Sequence, residues 1–63
     1  MTVDELNGLG SRIRRELHRA KQPLALHEIA SRLGASRYDV HDAISISLHG
    51  WVEILRDSTY RLL

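Results

Sequence analysis

The chain has no cysteine, no phenylalanine and only one proline. Without cysteine there is neither a disulfide framework nor a thiolate zinc site, the devices that most often stabilise very small folds. Its 63 residues make one domain, at a size where folding buries only about 60% of the surface the unfolded chain exposes. The core must therefore be apolar, or be completed by a partner or a second copy. Long apolar runs are missing too: Trp51-Val52 and Ile54-Leu55 are separated by Glu53, and nothing approaches the roughly 20 residues that span a bilayer. The start, Met1-Thr2-Val3-Asp4-Glu5, lacks the basic and apolar regions of an export signal. These absences predict a cytoplasmic protein with no membrane partner. The opening methionine predicts a complete small gene product.

A charge excess is also absent. Nine basic residues stand against eight acidic ones, a formal charge of +1, whereas a strongly basic balance would by itself point to nucleic acid. Eight of the nine are arginine, with Lys21 the exception; that bias is common in high-GC genomes and says nothing about function. No catalytic constellation is visible either. His18, His27, His41 and His49 are scattered along the chain. His27-Glu28 is not followed by the second histidine of a zinc-protease helix. There is no glycine-rich phosphate loop, and no serine has an evident base. The expectation is a protein that is not an enzyme, with no cofactor, no metal and no small-molecule substrate.

What is present is a run of helical signals followed by a change of period. Thr2 and Glu5 have the spacing of a capping box. Leu6, Leu9, Ile13, Leu17 and Ala20 then recur as a helical stripe, predicting a first helix over about 3–21. Gly8 and Gly10 each cost about 1 kcal/mol in a helix interior, so Ser11 to Lys21 is its secure part, and Pro23 closes it. Leu26, Ile29, Ala30 and Leu33 share one face of a second helix over about 26–33, ended by Gly34. Ser36 starts a third over about 36–48, with Asp39 at the positive end of its dipole. Val40, Ala43 and Ile44 form its buried stripe, and Ser47 and Leu48 compete for one further core slot. From Trp51 the period becomes 2, and Trp51–Leu55 and Thr59–Leu63 flank Arg56-Asp57-Ser58 as a β-hairpin over about 51–63. A lone hairpin is barely stable in water, so its apolar face must lie on the helices. Trp51 and Tyr60 are expected to complete the core across the hairpin; an exposed Trp51 would instead mark a protein-binding or self-association hot spot.

Residues 23 to 52 carry a recognisable pattern: the Glu28-Ile29-Ala30 stretch, the Leu33-Gly34-Ala35-Ser36 turn, Val40, the Ala43-Ile44 pair, and Gly50-Trp51-Val52 entering the hairpin. This resembles the winged helix-turn-helix superfamily of small bacterial or phage transcription regulators. The resemblance implies an α+β, mostly α, fold of three helices with a C-terminal β-hairpin wing. It further implies double-stranded DNA as partner, with the third helix in the major groove and its N-terminal residues on base edges.

By the helical period the exposed positions of that helix are Arg37, Tyr38, His41, Asp42 and Ser45, preceded by Ser36. Arg37 suits a phosphate or a guanine edge, His41 and Ser45 can donate to bases, and Tyr38 can meet the sugar-phosphate backbone. Arg56 at the wing tip suits the backbone or minor groove. Asp42 departs from the pattern, because a carboxylate is repelled by phosphate and accepts only from a donor such as the cytosine amino group. With Asp39 it leaves the helix formally acidic. The missing charge can come from Arg12, Arg14, Arg15, Arg19 and Lys21 on the first helix and from Arg56 and Arg61 on the wing; alternatively the first-helix run is a solvated face, to which an Arg12–Glu16 pair would belong. Two functions follow: a DNA-binding regulator, active as a homodimer because one module offers little interface, or a winged-helix module that binds a protein partner without DNA.

Overall fold

The computed structural model describes residues 2–63. Helix α1 spans Val3–Ala20, strand β1 Leu24–Ala25, α2 Leu26–Leu33, α3 Arg37–Ile46, β2 Val52–Ile54 and β3 Thr59–Leu62. The fold is α+β and mostly helical, three helices with a small antiparallel sheet, arranged as a helix-turn-helix with a β-hairpin wing.

Local chemistry starts and stops each helix. Thr2 Oγ1 accepts from the Glu5 N–H at 3.2 Å, and the Glu5 carboxylate accepts from the Thr2 N–H at 3.3 Å, a reciprocal capping box. Lys21 ends α1 in the left-handed region, at φ 55°. At the start of α2, Ala25 has no side-chain acceptor to offer, but the Glu28 carboxylate accepts its N–H at 3.0 Å. Gly34 closes α2 at φ 64°. There the Ala35 N–H donates to the Ala30 carbonyl at 3.0 Å and the Gly34 N–H to Ser31 at 3.4 Å, the pairing of a Schellman motif. Ser36 then caps α3, its Oγ accepting from the Asp39 N–H at 3.1 Å. The turn of the helix-turn-helix is thus three residues long, with glycine at the one position that needs positive φ.

The core is the meeting of the three helical stripes with the inner face of the sheet. Ile13, Leu24, Ile29 and Val40 are fully buried, and Leu6, Leu9, Leu17, Ala30, Ala43, Ile44 and Leu48 complete the cluster. Leu48 takes the contested slot. Ser47 is only half-buried, because α3 ends at Ile46 and the following turn carries Leu48 inward. Gly10 is buried where α1 meets this corner, so a residue that weakens the isolated helix serves close packing.

The sheet has the order β1-β3-β2, and β1 was not expected from the sequence. Leu24 pairs with Tyr60 and Ala25 with Thr59, while Val52, Glu53 and Ile54 pair with Leu62, Arg61 and Tyr60. Two residues are too few to show a period. Their pairing with β3 ties the hairpin to the helix-turn-helix and seals Leu24 in the core. At the wing tip the Ser58 N–H donates to the Leu55 carbonyl and the Leu55 N–H to Thr59. Arg56, Asp57 and Ser58 are therefore a three-residue loop whose last member lies at φ 66°, the usual build of such a hairpin.

Trp51 departs from expectation. Tyr60 packs on the core, but Trp51 is 55% exposed. Successive side chains on an extended chain point to opposite faces, and Val52 takes the inward one. Trp51 instead lies under the Arg14 guanidinium, 4.5 Å from the ring centre. No helix among the described residues is long and apolar enough to cross a membrane.

Candidate nucleic-acid interface

The candidate surface is built on α3. Val40, Ala43 and Ile44 turn one side of this helix into the core, so its other side must face solvent. At about 100° per residue, Tyr38, Asp42 and Ser45 lie about 150° or more from the centre of the buried stripe, whereas Arg37 and His41 lie about 70° and 110° from it. Tyr38, Asp42 and Ser45 thus form the outermost ridge, and Arg37 and His41 the flank. All five are exposed, Tyr38 at 85%.

The flank borders a shallow recess lined by Leu26, Ser36, Arg37, Tyr38 and His41. Leu26, half-buried at the start of α2, supplies an apolar residue that the sequence assigned to the core. Four of the residues expected to act together, Ser36, Arg37, Tyr38 and His41, therefore share one recess, while Asp42 and Ser45 lie on the ridge beside it. Ser36 is exposed, but its hydroxyl is engaged as the helix cap. Arg56 stands apart on the wing loop, exposed, beside an Asp57 carboxylate that accepts from the Thr59 hydroxyl at 2.6 Å and from the Thr59 N–H at 3.2 Å.

The electrostatics are sparse. Beside Asp42 stands the His41 imidazole, with Nδ1 and Oδ1 3.9 Å apart. Asp39 has a structural role at the first turn of α3, where negative charge is favoured. Asp42, in the middle of the helix, has none.

Three of the four arginines of α1 have partners within the fold. Arg12 does not pair with Glu16; it donates to the Leu33 carbonyl at 2.9 Å, one of the acceptors left free at the end of α2. Glu16 faces Arg32 at 3.5 Å and Arg19 at 3.8 Å. Arg14 is stacked on Trp51, and Arg61 is bound to Glu53 across the hairpin. Arg15, Lys21, Arg37 and Arg56 make no ion pair among the described residues. Only Arg37 of these lies on α3, and Arg56 on the wing.

Two surface features lie beyond what the sequence predicts. One is the Arg14 guanidinium over the exposed Trp51 ring, for which the alternation from Val52 is a usable signal only as far as the exposure. The other is exposed apolar surface at Val3, Ile46, Ile54 and Leu63, which short strands and helix ends cannot announce. Among the described residues no group of three or more His, Asp or Glu is placed to hold a metal ion. The chain matches no family model, no curated protein and no solved structure.

Proposed function

We propose that this chain is a winged helix-turn-helix regulator that binds double-stranded DNA, with α3 in the major groove and Arg56 of the wing on the backbone. One observation carries the proposal. Ser36 and the short turn hold α3 so that Val40, Ala43 and Ile44 are buried while Arg37, Tyr38, His41, Asp42 and Ser45 all stand in solvent. A helix fixed by one side and bare on the other has the geometry that groove insertion needs.

The charges refine this proposal. Arg12, Arg14 and Arg19 are engaged within the fold, and of the cations without an ion pair among the described residues only Arg37 and Arg56 lie on α3 and the wing, so phosphate contacts fall to them. Affinity per domain is then modest, and a homodimer on two half-sites is the natural working form. On this reading the protein acts in the cytoplasm, performs no catalysis and needs no cofactor.

Fluorescence anisotropy against mixed duplexes at low salt tests it. Saturable binding that weakens with salt is expected. No binding at about 10⁻⁴ M protein, the weak end of the non-specific range, removes the DNA-binding function.

A second function, binding of a protein or a second copy, is favoured by the exposed Trp51 with Arg14 across its face. Trp and Arg are the residues most enriched at interface hot spots. Sedimentation over a concentration series, with and without Trp51→Ala, separates self-association from a monomer.

A further inference from the structure

The three residues on the outermost ridge of α3, Tyr38, Asp42 and Ser45, include no cation, and Asp42 carries the one charge there. It gains little from its place. Aspartate is among the poorer helix formers, and this one is mid-helix, exposed and without an Arg or Lys partner within ion-pair distance among the described residues; the His41 imidazole Nδ1 lies 3.9 Å from its Oδ1. Its position restricts what it can meet. On a helix lying in the major groove, the side opposite the buried stripe faces the base edges, and the flanks face the phosphate walls. Arg37, on the flank, suits a wall. A carboxylate suits only the floor, and there only a donor: of the groups a base pair presents, the cytosine N4 amino group is the partner acidic side chains take. Adenine N6 is also a donor, but its neighbouring N7 acceptor favours an amide that can both donate and accept.

We propose that Asp42 is the specificity-determining residue of α3, accepting a hydrogen bond from a cytosine amino group and so requiring a C·G pair at one position of the bound site. This rests on the DNA-binding function proposed above and adds the base that one side chain selects. The same carboxylate repels phosphate, so it weakens binding to every other sequence. Asp42 therefore raises selectivity at the expense of general affinity, and removing it should change the two in opposite directions.

The test is selection of duplexes from a randomised pool by the full chain, followed by titration of wild type, Asp42→Ala and Asp42→Asn against the selected duplex and a random one. Asp42 is exposed, and Asp42→Ala improves helix propensity, so the variants keep the fold; circular dichroism verifies this. Wild type should select cytosine at one position, and replacing that base should cost about tenfold or more. Asp42→Ala should lose that preference alone while binding the random duplex as tightly as wild type or tighter. Asp42→Asn should move the preference toward adenine. A consensus unchanged by both substitutions overturns the assignment, as does an equal loss of affinity for both duplexes. Wild type that binds neither duplex at low salt overturns the DNA-binding function itself, and the assignment with it.

Discussion

A Cβ built on Gly10 would lie 2.6 Å from Ser47 Oγ and 3.1 Å from Ser47 Cβ, whereas one on Gly8 would meet nothing within 4 Å. The two glycines of α1 are alike in sequence and opposite in role. Gly8→Ala should stabilise the domain by about 1 kcal/mol through helix propensity, raising Tm by about 4–8 °C. Gly10→Ala gains the same propensity but crowds Ser47 at the end of α3, and overpacking costs about 1–3 kcal/mol, so its net effect should be destabilising. Ser47→Gly in the same chain should recover most of the loss. Thermal melts of the three variants decide this, and equal gains for both alanines would refute the close approach.

Ser58 is held at φ 66°, where an ordinary side chain costs roughly 1–2 kcal/mol. Ser58→Gly should relieve that strain, and even after the extra chain entropy of glycine it should stabilise by about 0.5–1 kcal/mol. Chemical denaturation reads the shift. A lower midpoint would mean that the serine hydroxyl makes a contact worth more than the strain.

The Thr59 hydroxyl, and then the Thr59 N–H, hold the Asp57 carboxyl below its usual range of about 3.8. At the other end of the chain, the Thr2 N–H and hydroxyl lower Glu5 from its usual 4.5. A carboxyl depressed by folding contributes stability that is complete above its unfolded value and lost as pH falls through the lower folded one. Both groups therefore add to acid sensitivity below about pH 4.5 and not to behaviour near neutrality. Asp57→Asn and Glu5→Gln should each flatten the acid limb of a Tm-against-pH curve. An unchanged limb would mean that the wing tip and the helix start open before they titrate.

Trp51 is the one tryptophan and is more than half exposed. Its replacement by alanine should cost far less than the about 3–5 kcal/mol of a buried aromatic. Its coupling to Arg14 should be about 0.5–1 kcal/mol, as expected of an exposed cation–π pair. A double-mutant cycle with Arg14→Ala measures that coupling. The intrinsic fluorescence of the free protein should be readily quenched by iodide.

Salt dependence distinguishes arginines that bind DNA from arginines that hold the fold. With Arg37 and Arg56 as the phosphate contacts, log K against log salt should fall with a slope of about −2 per domain. Arg37→Ala and Arg56→Ala should each reduce the slope by about 1. Arg12→Ala should leave it unchanged but lower stability, since its guanidinium serves the Leu33 carbonyl. A steeper wild-type slope would bring the α1 arginines back into the interface.

The helices were legible because their signals are local. The Thr2–Glu5 box, the apolar stripe through Leu6, Leu9, Ile13 and Leu17, the Gly34 stop and the Ser36 cap each act within one or two turns, so sequence order carries them. The Arg56-Asp57-Ser58 tip was legible for the same reason. The expected bounds differ mainly at α3, which ends at Ile46 rather than near 48, because the next turn commits Leu48 to the core. Exposure along α3 at Arg37, Tyr38, His41, Asp42 and Ser45 follows from the period once Val40, Ala43 and Ile44 are buried.

The rest required the chain to be folded. Strand β1 exists only because Tyr60 and Thr59 arrive beside Leu24 and Ala25, from 36 and 34 residues away by their numbers. Arg12 prefers the end of α2 to its helix neighbour Glu16 because a free carbonyl needs a donor. Trp51 turns outward because Val52, next to it, fills the inner face. By itself the sequence determined where each helix begins and which stripe it buries, since capping, propensity and period are short-range. Only the tertiary structure decided which arginines remained free, which glycine was a close contact and which apolar residues stayed in solvent. Those depend on what one element finds against another, and spacing along a single chain does not record it.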